Sequence, residues 1–339
     1  MLKGLRLAPE AGELFESAVR ECRSAGQASS RGQLRAVKLR HIKCIRGAAK
    51  VVTETLRDIY TNSPHLSRLH PFYHELCKIS FNTDEYRVCL ARLKSVERII
   101  NKVSRESIFA LKRAQSGEDL RKIRRGFFGR LGSLIESIEG CLTVIRQAQL
   151  AMNRFPEVNL NLATVIIAGA PNVGKSSLLR ALTRAKPEVQ PYPFTTKNLI
   201  LGMMEHGMYR VQLVDTPGLL DTPLEDKSRI ERQAILALRY LGDAAVFVVD
   251  ATETCGFPLD FQKRVYDEVA EMFSGRPIIV VANKLDIAGD DDFRRLREVF
   301  TGVEYMPVSA EKKLNIGALA ERIVDALRRE GKEYKMLIR

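Results

Sequence analysis

Gly169-Ala-Pro-Asn-Val-Gly174-Lys175-Ser176 decides how the second half of this 339-residue chain is read. It fits the pattern Gly-x-x-x-x-Gly-Lys-Ser/Thr. An apolar, β-branched run (Ala163–Ala168) enters it and an apolar helical stretch (Ser176–Thr183) leaves it. Strand, glycine loop and helix in that order predict a phosphate cradle. Glycines let the backbone curl until its N–H groups point inward at phosphate oxygens, and the start of the helix adds its positive end. The candidate cradle is Gly169, Asn172, Val173, Gly174, Lys175, Ser176 and Ser177. Within it Lys175 would bring charge to the β- and γ-phosphates, and Ser176 a hydroxyl to Mg²⁺.

Outward from that loop, short apolar runs recur at Leu199–Met204, Val211–Val214, Ala244–Val249, Ile278–Val281 and Val303–Val308. Helical stretches at Ile230–Leu241, Asp260–Phe273, Asp292–Phe300 and Ile316–Arg329 separate most of them. The alternation predicts an α/β unit: a mostly parallel six-stranded sheet with helices on both faces and one hairpin at Glu205-His206-Gly207. Ligands of such sheets sit at the carboxyl ends of the strands, and further motifs stand there. Asp215-Thr-Pro-Gly218 follows Val211–Val214. Its aspartate suits the Mg²⁺ shell, reached through water, and the Gly218 N–H can sense the γ-phosphate. Asn283-Lys284-Leu285-Asp286 follows Ile278–Val281. The Asp286 carboxylate can accept paired hydrogen bonds from guanine, which adenine does not offer, so the site prefers GTP and GDP to adenine nucleotides. Asn283 would tie this loop to the phosphate loop, and the Lys284 stem would cover the base. Ser309-Ala310 stands where a backbone N–H could meet guanine O6.

Pro191-Tyr-Pro-Phe-Thr195-Thr196 lies between cradle and hairpin. A hydroxyl here can complete the Mg²⁺ shell while the γ-phosphate is present, with Thr196 the first choice and Thr195 the second. This segment and the one after Gly218 are the expected switches. Lys175, Thr196 and Gly218 are the candidate catalytic residues. Leu219 stands directly after Gly218, where a water-orienting glutamine is common, so unaided hydrolysis should be slow, on the order of 10⁻³ s⁻¹ or below. Asn172 is the candidate ligand for K⁺ beside the phosphates.

The first half has a different texture. Helical periodicity runs over Ala11–Cys22, Arg31–Asn62, His70–Lys78, Thr83–Val103, Glu106–Gln115 and Asp119–Met152, which predicts an all-α bundle. The expected domains are 1–158 (helical) and 159–339 (nucleotide-binding). Residues 1–160 hold 29 Lys+Arg against 16 Asp+Glu, whereas residues 161–339 hold 25 of each. The whole excess of +13 thus lies on the helical half and points to a polyanion, with RNA favoured over a membrane. The acid-free run Arg31, Arg35, Lys38, Arg40, Lys43, Arg46, Lys50 places all but Arg40 within about 140° of one helix face. Arg121, Lys122, Arg124, Arg125 and Arg130 form a second cluster. Six scattered cysteines without metal spacing suit reduced thiols in a cytoplasmic chain with no disulfide-linked partner. No apolar run is long enough to span a membrane. His70 and His74 flank Pro71 and read as packing or capping residues at a helix start.

Gly-Ala-Pro-Asn-Val-Gly-Lys-Ser, Tyr-Pro-Phe-Thr-Thr-Lys and Asp-Thr-Pro-Gly-Leu-Leu-Asp together resemble the Obg-like P-loop GTPases. Leu69-His-Pro-Phe-Tyr-His-Glu-Leu76 is similar to the helical domain of their Nog1 family. The resemblance implies a GTPase acting in assembly of the large ribosomal subunit, with its precursor and rRNA as partners. The apolar residue at Leu219 is also similar to this class. The chain stops at Arg339, as the short archaeal members do. Two further readings stay open: a translation or stress regulator of the Obg branch, and an assembly placeholder whose switches GTP merely orders.

Overall fold

The computed structural model of the chain describes residues 2, 4–24, 34–222, 225 and 227–337. They fall into two compact units, Leu2–Arg68 with Ser80–Asn153, and Leu69–Ile79 with Arg154–Arg339. The sequence alone predicts one border, between 158 and 159. The contacts of the folded chain instead group Leu69–Ile79 with the α/β unit.

In chain order the helices of the first half are α1 (Ala11–Ser24), α2 (Leu34–Asn62), α3 (Pro71–Ser80), α4 (Thr83–Arg113), α5 (Gly117–Glu136) and α6 (Glu139–Met152). All but α3 build the helical unit. Apolar residues at helical spacing meet in its core, among them Leu14, Ile45, Val52, Leu56, Leu93, Ile100, Phe127, Leu131 and Ile145. Each such side chain contributes roughly 1.5–3 kcal/mol when fully buried. Between α2 and α4 the buried Glu97 carboxylate takes hydrogen bonds from Arg57 (2.5 Å) and Tyr60 (2.8 Å). Burial works to raise this carboxyl, but those two donors outweigh it and hold it below the usual range.

Three expectations for this unit change. The break expected at 104–105 is absent and α4 is continuous, because Ser104 and Ser107 are buried on its packed face and neither Gly nor Pro interrupts it. The expected Asp119–Met152 helix divides at Ser137–Ile138, which lets Ile138 drop fully into the core. Cys22 and Cys44 are joined by a disulfide, contrary to the expectation of six reduced thiols. Packing of α1 on α2 brings their Cα atoms to 4.0 Å, a proximity that spacing along the chain does not reveal.

The α/β unit continues with β1 (Thr164–Ala168), α7 (Lys175–Leu182), β2 (Glu188–Pro191), β3 (Asn198–His206), β4 (Tyr209–Asp215) and α8 (Arg229–Ala237). There follow β5 (Ala244–Asp250), α9 (Leu259–Met272), β6 (Ile278–Asn283), α10 (Asp290–Val299), β7 (Tyr305–Pro307) and α11 (Ile316–Arg329). The sheet order is β2-β3-β4-β1-β5-β6-β7, parallel from β4 onward and antiparallel at β2-β3 and β3-β4. It therefore has seven strands where six were expected. The extra one, β2, is an edge strand with three of its four residues exposed and Pro191 at its end, so it lacks the apolar signature of the others. Val165, Ile167, Val246 and Val248 point to the face covered by Leu178 and Leu182 of α7 and Leu319 and Ile323 of α11. On the opposite face Phe247 meets Tyr266 of α9.

Helix α3 belongs to this unit through specific contacts. Phe72 stacks on Tyr192 with centroids 6.5 Å apart, and the Tyr73 hydroxyl donates to the Pro156 carbonyl at 2.8 Å. His70 Nδ1 accepts the Phe72 N–H at 3.3 Å, so it caps the helix start.

Candidate nucleotide-binding site

The ends of β1, β4, β6 and β7 place the expected motifs along one edge of the sheet. Lys175 is buried at the start of α7, and its ammonium donates to the carbonyls of Gly169 and Ala170, both at 2.8 Å. Burial lowers its pKa, opposed by the charges of Asp221 and Asp215. The Ser176 hydroxyl donates to Asp215 Oδ2 at 2.5 Å. Asp215 is fully buried, which pushes its carboxyl upward, and its Oδ1 has no hydrogen-bond partner. A buried acceptor aimed beside a serine hydroxyl fits the hard-oxygen environment of a hydrated Mg²⁺. Ser177 accepts from Arg180 at 3.2 Å. Asn172, at φ 60°, donates to the Cys255 carbonyl at 3.5 Å.

At the β6 end Asn283 joins three segments. Its Nδ2 donates to the Val173 carbonyl of the phosphate loop at 2.9 Å, and its Oδ1 accepts the Ala310 N–H at 3.0 Å. Gly174 is required opposite it, since a Cβ there would stand 2.2 Å from Asn283 Nδ2. The Ser309 hydroxyl donates to Asp286 Oδ1 at 2.5 Å, the main reason that this carboxyl titrates below its ordinary value. One expectation changes here and another gains a partner. The Ala310 N–H is held by Asn283 rather than left for a base. The Lys284 ammonium, besides whatever its stem covers, is bound to Asp250 Oδ2 at 2.6 Å. Asp250 was missed in the sequence because a lone Asp at a strand end carries no motif. It is fully buried and also accepts from Thr252 and Cys255.

At the β4 end, residues of the two expected switch segments are engaged with their own neighbours. The Thr195 hydroxyl lies within its own turn, 3.2 Å from the Tyr192 carbonyl, and accepts the Lys197 N–H at 3.1 Å. Thr196, the first choice for Mg²⁺, is exposed. Lys197 folds over Gly218 so closely that a Cβ there would lie 2.6 Å from its Cδ. Leu219 is buried at 1% exposure, so its side chain faces the interior. Tyr192 is also buried, and its hydroxyl donates to the Ala234 carbonyl of α8 at 2.5 Å. It thereby links the Pro191–Thr196 segment to the helix that follows Gly218.

In the helical unit the charges of Arg40 from the first run and of Arg121 and Arg124 from the second cluster act on His41. Burial first, and then the charges of Arg124, Arg40 and Arg121, lower the pKa of its imidazole, whose Nδ1 is buried without a hydrogen-bond partner. Arg35, Lys43, Arg46, Lys50, Arg121, Lys122, Arg124 and Arg125 are exposed. Lys38 is turned aside to the Lys112 carbonyl at 3.3 Å, and Lys50 pairs with Glu54 at 3.8 Å. Arg31 lies outside the described residues. A groove of about 810 Å³ beside α2 and α4 adds Lys94, Arg98, Arg105 and Lys112 to Arg46 and exposes Phe109. These residues form no run in the sequence because they are spread through α4 among acids, and only the fold puts them on one side.

Comparison with known proteins gives this geometry a family. The NOG1 N-terminal helical domain matches residues 3–159, and the 50S ribosome-binding GTPase family matches residues 164–284. Nucleolar GTP-binding protein 1 of Encephalitozoon cuniculi is 32% identical over 90% of this chain and 58% of its own length. The protein of that name in Arabidopsis thaliana is 35% identical over 68% of this chain and 35% of its own. The chain thus spans little more than half the length of these relatives, or less. A crystal structure described as nucleolar GTP-binding protein 1 of Plasmodium falciparum is 29% identical, covering 53% of this chain and 93% of that one at a TM-score of 0.45. With the NOG1 helical domain directly ahead of a GTPase domain, the chain belongs to the Nog1 family of GTP-binding proteins.

Proposed function

We propose that the chain is a GTP-hydrolysing switch in assembly of the large ribosomal subunit, holding rRNA of the precursor through its basic helical unit. One observation supports the RNA part of this reading: Arg40 of α2 and Arg121 and Arg124 of α5, far apart in sequence, act on His41, and Arg46 lines the α2–α4 groove with Lys94, Arg98, Arg105 and Lys112. Positive charge concentrated in this way suits a phosphate backbone, and the exposed Phe109 offers a ring to an unpaired base. The nucleolar name of the relatives and the ribosome-binding name of the GTPase family agree with it. A cytoplasmic location is the reading for this chain itself.

In the nucleotide site Lys175 and the α7 start bind the β- and γ-phosphates, Asp286 reads guanine, and the Gly218 N–H senses the γ-phosphate. Ser176, Thr196 and, through water, Asp215 would hold Mg²⁺, which would neutralise charge on the phosphates. Thr196 has to move inward to do so, and its turn is the first switch. Because Leu219 is packed inside, no side chain directly after Gly218 orients water, and intrinsic turnover is slow. Asn172 would hold K⁺ as a fixed positive charge beside the reacting phosphate, so hydrolysis should be faster in KCl than in NaCl at equal ionic strength.

The test is sedimentation with large-subunit precursors in GTP-analogue and GDP, together with a salt titration on rRNA. Nucleotide-dependent association and a log–log slope of roughly −4 to −5, for about six phosphates, are expected. No association in either state, or a slope near zero, removes the reading. Association that hydrolysis does not alter would favour the placeholder, and a response to nucleotide level without precursor association the regulator.

A further inference from the structure

Asp221 stands three residues beyond Gly218 and is 8% exposed. Its Oδ2 accepts the Gly218 N–H at 2.7 Å. Lys175 feels burial most strongly, and the charge of Asp221 is the leading influence opposing it. The Gly218 N–H and the Lys175 ammonium are the two positive groups assigned above to the γ-phosphate. A carboxylate offers the Gly218 N–H the same kind of partner that a phosphate oxygen does: negative, strongly accepting and able to shorten a hydrogen bond. The turn that carries Asp221 is braced, since Lys227 Nζ donates to the Gly218 carbonyl at 3.3 Å and to the Thr222 hydroxyl at 2.8 Å.

We propose that Asp221 is a tethered stand-in for the γ-phosphate, competing with it for the Gly218 N–H and so setting how strongly GTP is preferred over GDP. The inference rests on the nucleotide site described under Proposed function. GDP ends at the β-phosphate and leaves the Asp221–Gly218 contact standing. GTP has to open it, because two anions at one place repel and one N–H serves one strong acceptor. The apparent affinity for GTP is then reduced by the fraction of molecules in which the contact is open, while that for GDP is not. Asp221 is a specificity-determining residue in this scheme, and release of its carboxylate is the event that tells the second switch which nucleotide is bound.

Calorimetry of the full chain with Mg²⁺, GDP and a non-hydrolysable GTP analogue tests this. In Asp221→Ala the analogue should bind about tenfold tighter while GDP stays within about twofold. Asp221→Asn, neutral but still an acceptor, should fall between. An unchanged analogue-to-GDP ratio in both variants, or a weaker analogue, overturns the proposal. Carbon-13 NMR of the unsubstituted chain gives an independent reading: the Asp221 carboxyl resonance should move between the GDP and analogue complexes, and a resonance that stays put overturns it as well. If the unsubstituted chain binds no GDP, the nucleotide site itself falls; GDP binding with an unchanged ratio removes the Asp221 proposal alone.

Discussion

At the β6–β7 end of the site, Asn283 already spans the phosphate loop and the Ser309–Ala310 turn, Lys284 is locked to buried Asp250, and Ser309 holds Asp286. At the β4 end the groups that would meet a γ-phosphate are engaged with each other: Gly218 with Asp221, Thr195 with its own turn, Lys197 over Gly218. A network whose polar groups are paired across three segments resists rearrangement, whereas hydrogen bonds made within one turn, such as Gly218–Asp221 and Thr195–Lys197, exchange for others at small cost. On the proposed reading, the base-reading end is thus preorganised to select a nucleotide, and the other end changes when the number of phosphates changes.

Several substitutions would break or sharpen that contrast. Lys175→Ala should have the largest effect, because it removes a buried charge that both nucleotides use. GTP and GDP binding should each fall by about a hundredfold or more, measured by calorimetry. Asp286→Asn should touch only the preorganised end. GTP should weaken by about a hundredfold and xanthosine triphosphate should become the better ligand. Unchanged base preference would mean that the rigid end is not where the base lies.

Phe72→Ala probes the adaptable end from outside the nucleotide pocket. Removing a fully buried ring that stacks on Tyr192 should cost about 3 kcal/mol of stability in denaturant unfolding. The guanine preference set by Asp286 should survive it. Should that preference change instead, the two ends are coupled and the contrast fails.

The smallest expected effect is that of pH on α3. Burial, reinforced by Lys335, lowers the pKa of His70 below its ordinary 6.5. The unfolded chain therefore binds more protons in that window, so stability is lost as pH falls below about 6.5 and the folded-state value is crossed. Protonation also removes the Nδ1 acceptor that caps α3, with a loss of about 0.5–1 kcal/mol. His70→Asn, which keeps a capping acceptor and cannot titrate, should flatten the dependence in thermal unfolding between pH 5 and pH 7.

Much of this was legible in the chain because its chemistry is local. Gly169–Ser176, Asp215–Gly218 and Asn283–Asp286 each carry backbone conformation and functional groups within a few residues, and alternating apolar runs put them at strand ends. The sheet and the separate helical unit follow from periodicity, and the charge division from counting. Other features depend on residues distant in sequence. β2 has no apolar pattern and exists only by pairing with β3. The Cys22–Cys44 bond needs α1 packed on α2, and the basic surface at His41 needs α2 beside α5.

The sequence by itself determined which nucleotide chemistry this protein can perform and on which half its positive charge lies, because residue identity and short-range spacing suffice for both. Only the tertiary structure decided that α3 folds with the α/β unit, that Asp250 anchors Lys284, and that Asp221 sits on the Gly218 N–H. Each of those depends on burial and on the direction of a side chain, which a linear pattern does not contain.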